Sequence, residues 1–321
     1  MGIQELASRL ASTTRTGMTP ELAKKLKLRD TDTFRGQLLG MSTDTHGPLG
    51  VYLVGVYVVD DTDFWSDGEI YRWTIPVLGD KNGKARWSAL SGLPEGDPPH
   101  DVGSHEWMTN IHLNDLPLLA VIPPDPDIDS CTIRMAFYDD DGALADVPKA
   151  MGAGYEALAA CQHVVSGPDQ IIQPVRHAIF TSLRAEQDDI LIDQDLILRR
   201  GERMNFNCGF VGSVINSMIR VYYFIKDEQR TEQAGPEMLR KGQMEIVRFK
   251  SKMEPGGRIA LFARGADVTA PAFGELNTDT PFVNKVLDDR SVHTVKDGFE
   301  IRAAGPAKFI AFYTPPQPVT V

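Results

Sequence analysis

Residues 131–146 read CTIRMAFYDDDGALAD, in which a strand pattern passes directly into an acidic loop. The run 131–138 is rich in β-branched and aromatic side chains, which favours a buried β-strand. The arrangement also occurs earlier in the chain, because residues 51–59 read VYLVGVYVV and residues 60–67 read DDTDFWSD. Two strands that both end in carboxylates predict a β-sheet with negative charge concentrated at one rim.

Such a rim predicts a cation site. Like charges crowded at the end of a sheet repel one another unless a cation accepts them. Ca2+ suits this place because it takes about six to eight oxygen ligands from carboxylates, carbonyls and water. We therefore expect calcium as the cofactor.

The overall charge excludes other classes of ligand. The formal net charge is -11, so no excess of basic residues is present to neutralise nucleic-acid phosphates. The same balance opposes attachment to anionic membranes, unless a bound cation reverses the sign of one local surface. Nucleic acid is therefore not an expected partner.

Chain length and turn signals predict two domains. A chain of 321 residues exceeds the usual single-domain size. Short strand-like runs divided by Gly, Pro and Asp indicate an all-β fold with two β-sandwich domains in tandem. We expect a helical N-terminal arm over 1–45, a first sandwich over 46–167 and a second over 175–321.

The element pattern within these domains is uneven. One internal helix is predicted near 149–164, and Pro168 and Pro174 indicate a linker after it. From residue 175 the pattern is rich in strands, which are expected at Ala178–Arg184, Ile190–Leu198, Met218–Ile225, Met244–Phe249, Arg258–Ala263, Gly298–Ala303 and Lys308–Tyr313.

The two acidic loops resemble those of a known family. Residues 61–67 followed by the strand-like run 69–75 resemble the first calcium loop of C2 domains, and Asp139 and Asp141 followed by Asp146 resemble the third. The resemblance covers only about residues 50–150. It departs from the family at Gly68, where a proline is usual, and in a last interval that is one residue shorter. It implies a C2-like first sandwich with the calcium ligands Asp61, Asp67, Asp139, Asp141 and Asp146.

The loop tips carry apolar residues between the acids. Phe64 and Trp65 lie in the middle of the first loop, and Leu144 lies in the middle of the second. In the C2 family such tips enter a membrane or a protein partner once calcium has cancelled the charge. The alternative is that Trp65 folds back on its own sheet, since exposed Trp is uncommon.

A third acidic alternation is formed by Asp125, Asp127 and Asp129, and its prolines indicate an exposed turn. It precedes the strand that the acidic loop 139–146 follows. We expect it at the opposite strand end, away from the calcium loops.

No motif indicates catalysis. The spacing of His100, His105 and His112 matches no helical metal pair, and neither a GxSxG elbow nor a Walker sequence occurs. We therefore name no catalytic residue and expect a non-enzymatic calcium-binding module that attaches to a membrane or protein partner. Two alternatives stay open: a structural subunit of a homo-oligomer bridged by calcium, and an enzyme with a structural calcium and an unrecognised active site.

The compartment is predicted only broadly. The start of the sequence lacks the basic and apolar regions of a secretory signal, and no apolar run is long enough to span a membrane. The three cysteines, Cys131, Cys161 and Cys208, form no CxxC pair. We expect a cytoplasmic protein, or one exported without a conventional signal peptide.

Overall fold

The computed structural model describes residues 47–60, 68–92, 100–107, 116–139, 147–161, 167–183, 190–200, 206, 208–277, 281–295 and 298–316. The predicted N-terminal arm over 1–45 lies outside these ranges. Within them the helices are α1 (Val147–Cys161), α2 (Asp169–Leu183) and α3 (Asp289–Val295). The strands are β1 (Leu49–Val58), β2 (Gly68–Asp80), β3 (Ala85–Ser88), β4 (Ser91–Gly92), β5 (His100–Val102), β6 (Glu106–Trp107), β7 (Leu118–Ile122), β8 (Ile128–Asp139), β9 (Ile190–Arg199), β10 (Val211–Ile215), β11 (Ile219–Asp227), β12 (Glu232–Leu239), β13 (Met244–Val247), β14 (Arg258–Gly265), β15 (Val268–Ala270), β16 (Gly274–Leu276), β17 (Phe282–Val286), β18 (Phe299–Ala303) and β19 (Ala307–Thr314).

These strands form four sheets, and every described pairing is antiparallel. Sheet 1 has the order β3-β2-β8-β9, with β4 and β5 also beside β2, and sheet 2 has the order β10-β11-β1-β6, with β7 beside β1. Sheet 3 is β12-β19-β14-β17, and sheet 4 is β13-β18-β15-β16. The predicted all-β fold is confirmed.

The sheets stack face to face in numerical order, and α1 and α2 cover the outer face of sheet 1. Ile70, Ile133 and Val221 belong to the core between sheets 1 and 2. Sheets 2 and 3 meet through a second apolar layer that includes Phe224 and Phe312. Sheets 3 and 4 enclose a third core. The first sandwich consists of sheets 1 and 2, and the second consists of sheets 3 and 4.

Strand β1 shows why its sequence is apolar at nearly every position. All ten of its residues are buried. Val51 and Leu53 face sheet 1, whereas Tyr52 and Val54 face sheet 3. A strand covered on both faces reads as a continuous hydrophobic run instead of an alternating one.

The strand pairing continues across the predicted domain boundary at 167–175. Strand β9 pairs with β8, and β11 pairs with β1 over the whole length of both strands, from Leu49↔Asp227 to Val58↔Ile219. Strand β10 then pairs with β11. Residues 190–227 are therefore part of the first sandwich in the described structure, and the pairing changes to the second sandwich at β12.

The helix predicted near 149–164 is present as α1, but α2 occupies the region where a linker and a strand over 178–184 were predicted. That prediction was wrong because Pro168 and Pro174 were taken as breakers. Pro168 precedes the helix, and Pro174 lies inside it. The buried residues Ile171, Ile172, Val175 and Ile179 have the spacing of a helical face and pack on sheet 1.

None of the described helices is long and apolar enough to span a membrane.

Candidate metal-binding rim

Both acidic segments join sheet 1 at the same rim. Strand β2 begins at Gly68, directly after the first segment, and β8 ends at Asp139, where the second begins. The two strands are neighbours, and Ile70 is the register partner of Asp139. Opposite residues of antiparallel strands have Cα atoms about 4.5–5.5 Å apart, so both segments are attached within a few ångströms of each other.

The first segment also joins the two sheets of the first sandwich. It starts after β1 of sheet 2 and ends at β2 of sheet 1. Val59 and Asp60, just beyond β1, donate backbone hydrogen bonds to the carbonyl oxygen of Met218 in the β10–β11 turn, at 2.7 and 3.1 Å. The exit from β1 is therefore fixed before the acidic segment begins.

Asp139 has a buried side chain at this rim. Its fractional exposure is 4%. Ile70, its register partner, and Phe137 both lie in the core between sheets 1 and 2, so Asp139 occupies the same face. A carboxylate in this position has lost much of its hydration.

Asp139 is the single predicted ligand that the structure describes. Asp61, Asp67, Asp141 and Asp146 lie outside the described residues, as do the predicted contact residues Phe64, Trp65 and Leu144. Within the described ranges, no group of three or more His, Cys, Asp or Glu side chains is arranged to hold a metal ion. The structure therefore places the attachment points of both acidic segments at this rim.

The register adds acidic residues that the sequence patterns did not nominate. Strand β9 begins at Ile190, which is paired with Tyr138. The segment that leads into β9 contains Glu186, Asp188 and Asp189, so it reaches sheet 1 at the same rim. On the other side of β2, Asp101 of β5 is paired with Glu69. An acidic pair directly before a strand was the available signal for Asp188 and Asp189.

One cationic residue lies on the same face as Asp139. Arg72 is opposite Phe137, so it is a diagonal neighbour of Asp139 across the β2–β8 pair. The positive charge of Arg72 reduces the local negative potential and therefore opposes the binding of a metal cation nearby.

The opposite rim of sheet 1 has a different arrangement. Asp127 is exposed in the turn before β8, as the sequence predicted for this acidic alternation, and its backbone N–H donates to the Asp125 carboxylate at 2.8 Å. The Arg200 guanidinium donates to the carbonyl oxygens of Asp125 and Ile128 at 2.5 and 2.6 Å.

Asp80 also lies at this opposite rim, where it is paired with Ile128. Its carboxylate accepts from the backbone N–H groups of Lys84 and Asn82, at 3.0 and 2.8 Å. These bonds, the one from Lys84 first, hold the pKa of Asp80 below its usual value. The carboxylates of Asp80 and Asp125 at this rim therefore stabilise turns by accepting backbone hydrogen bonds.

A carboxylate cluster in the middle of β9 is also structural. Asp193 forms ion pairs with Arg134 of β8 and Arg176 of α2, and Asp195 forms one with Arg134 at 2.8 Å. Burial raises the pKa of Asp195, while Arg134 opposes that shift. The two guanidinium groups balance the charges of Asp193 and Asp195. The cluster fixes α2 to sheet 1.

Comparisons with known proteins identify no family. No family model and no curated protein matches the chain. Solved structures of human GIVD cytosolic phospholipase A2 are matched at 9% identity, over 86% of this chain and 33% of that chain. The TM-score is 0.25 for the complex with methyl gamma-linolenyl fluorophosphonate inhibitor and terbium chloride, and 0.21 for another structure of that protein. Scores of this size do not establish a shared fold, and the chain spans about a third of the length of that protein.

Proposed function

We propose that this protein is a calcium-binding module whose paired acidic loops attach it to an anionic lipid surface. The observation that supports this proposal is the β2–β8 register, which joins the segments 61–67 and 140–146 to the same rim around Asp139. Acidic residues at this rim are contributed by separate stretches of chain, a common requirement for a calcium site built from loops.

In this proposal Asp139 is the inner ligand. It is buried on a strand, so its position is set by the sheet. Asp61 and Asp67 lie between β1 and β2 in the sequence, and Asp141 and Asp146 follow Asp139. Preorganisation of one ligand by a rigid element reduces the ordering that binding requires from the other four.

Calcium would then change the sign of the rim. A surface rich in carboxylates repels anionic lipid, and bound Ca2+ reduces that repulsion. Phe64, Trp65 and Leu144 supply apolar side chains between the proposed ligands. Their burial in the lipid interface adds a favourable hydrophobic contribution of roughly 25 cal/mol per Å2 of apolar area.

Calorimetric titration with calcium tests the metal site. We expect saturable binding by the unmodified protein, and binding at least about a hundredfold weaker by the variant Asp61→Asn with Asp139→Asn. Asp127→Asn is the matched control, because it removes one carboxylate from the opposite rim. Absence of heat with the unmodified protein at millimolar calcium overturns the proposal, and so does equal weakening by the control.

Vesicle flotation tests the attachment. Vesicles containing phosphatidylserine should bind the protein only with calcium, and vesicles of phosphatidylcholine alone should bind it much less. The variant Phe64→Ser with Trp65→Ser should keep calcium binding and lose flotation. Calcium binding without flotation would disprove the lipid version. A calcium-dependent rise in mass by light scattering would instead favour the calcium-bridged homo-oligomer.

A further inference from the structure

A cleft opens where the apolar layer between sheets 2 and 3 reaches the surface. The space inside the cleft and in front of its mouth, open solvent included, is about 590 Å3. Its walls include Gly55, Trp107, Tyr222, Phe262, Arg264 and Phe282. None of these residues belongs to the rim that carries the acidic segments.

Four aromatic rings line part of the cleft. The ring centroids of Trp107 and Tyr222 are 5.8 Å apart at an interplanar angle of 32°. Tyr222 and Phe282 are 5.3 Å apart in an edge-to-face arrangement, and Phe282 is 6.2 Å from Phe262. Such walls offer favourable contacts to a flat apolar ring.

Gly55 makes room for this arrangement. The β1–β11 register shifts between Leu53 and Gly55, and Gly55 is then opposite Tyr222. A Cβ atom at position 55 would lie 2.7 Å from a ring carbon of Trp107. Only glycine therefore allows the Trp107 ring to lie against the β1 backbone at the edge of the cleft.

A positive charge stands beside the aromatic walls. Arg264 follows Phe262 by two residues on β14, so it shares the face directed at sheet 2. It is half-buried, and burial lowers the pKa of its guanidinium. A guanidinium in such a place binds a carboxylate more strongly than one in bulk water, since less screening by solvent occurs.

We propose that this cleft binds a small aromatic carboxylate, with its ring against the contiguous surface of Trp107, Tyr222 and Phe282 and its carboxylate at Arg264. Aromatic walls alone would also suit a quaternary ammonium ion, but the guanidinium repels a cation. A neutral aromatic compound would contact the rings but would form no ion pair with the Arg264 guanidinium. The site is separate from the proposed calcium function and does not depend on it.

The experiment uses 2-naphthoate and its neutral counterpart 2-naphthalenemethanol as probes, in EDTA so that calcium plays no part. We expect saturable binding of 2-naphthoate by calorimetry and at least about tenfold weaker binding of the alcohol. Since this comparison uses the unmodified protein, it does not depend on the folding of a variant. Equal affinity for both probes, or no saturable 2-naphthoate binding at millimolar concentration, overturns the proposal.

The variant Arg264→Gln identifies the charge responsible. It should bind 2-naphthoate about tenfold more weakly than the unmodified protein and bind the alcohol equally well. Arg240→Gln is the matched control, because it removes the same charge from an exposed turn outside the cleft. If Arg264→Gln melts at the normal temperature and keeps full affinity for 2-naphthoate, the proposal is wrong.

Discussion

The two ends of strand β8 are both acidic, yet the structure uses them differently. At the beginning of the strand, Asp125 and Asp127 form a turn that is closed by backbone hydrogen bonds and by Arg200. At the other end, roughly 35 Å away, Asp139 is buried in the strand and starts a further acidic run. The number of aspartates at a strand end therefore does not define a site. What distinguishes the two ends is which other segments the register brings there.

The largest effect is expected from calcium itself. At a concentration about a hundred times the dissociation constant, calcium should raise the free energy of unfolding by about 2.7 kcal/mol. The variant Asp61→Asn with Asp139→Asn should lose nearly all of this gain, because two proposed ligands are removed. Chemical denaturation with calcium and with EDTA measures it. Asp127→Asn, at the other end of β8, should keep the full gain, and a loss there would erase the contrast between the ends.

A smaller effect is expected at the beginning of β8, the closed end, where Arg200 binds the turn that contains Asp125. Arg200→Met should lower the free energy of unfolding by about 2 kcal/mol, because the carbonyl oxygens of Asp125 and Ile128 lose a charged donor. Denaturant unfolding in EDTA measures this loss. The same variant should bind calcium with unchanged affinity, and a clear change would show that the closed end influences the rim.

Arg72 is a positive charge on the same face of sheet 1 as Asp139. Removal of its charge by Arg72→Gln should tighten calcium binding about fivefold, since a like charge near the cation disappears. Arg86→Gln is the matched control, because Arg86 lies near Asp80 at the opposite end and is exposed. Calorimetry measures the calcium affinity of both variants. Equal effects would mean that the affinity depends on the net charge of the protein and not on the position of Arg72.

The smallest effect concerns pH at the closed end. Hydrogen bonds from Lys84 and Asn82 hold the pKa of Asp80 below its unfolded value, so its ionised form stabilises the folded state. This contribution is fully present above the unfolded pKa of about 3.9, and it disappears as pH falls through the lowered value. Asp80→Asn should therefore lower the melting temperature slightly at neutral pH, and the difference from the unmodified protein should shrink steadily as pH falls below about 3.9. A difference that persists in acid would contradict this assignment.

Local sequence patterns predicted much of the first sandwich. The strand runs at 51–59 and 131–138 and the helix near 149–164 are visible because their composition matches their burial. Helix α2 was missed, although its buried residues have helical spacing, because Pro174 was given more weight than that period. The low helix propensity of Pro174 is outweighed by the packing of α2 against sheet 1.

Long-range pairing was beyond the reach of local patterns. Val51 pairs with Ile225 of β11 and with Ala120 of β7, and nothing near any of these residues specifies the others. The proposed rim is a mixed case. Asp139 could be nominated from its position at the end of a predicted strand, but Asp188 and Asp189 are nominated only by the pairing of β9, which they precede in the chain, with β8. The cleft depends on residues from β1, β6, β11, β14 and β17, so it left no signal in the sequence.

Sheet 2 is covered on both faces, and this arrangement couples the unfolding of the two sandwiches. Its rings on the side of sheet 3 include Phe224, whose centroid is 4.7 Å from that of Phe312. A fragment that ended near residue 175 would expose this surface and would leave the backbone of β1 without its β11 partner. The two sandwiches therefore should not melt in separate steps. Heating should produce one cooperative transition, and proteases should find no stable half to release.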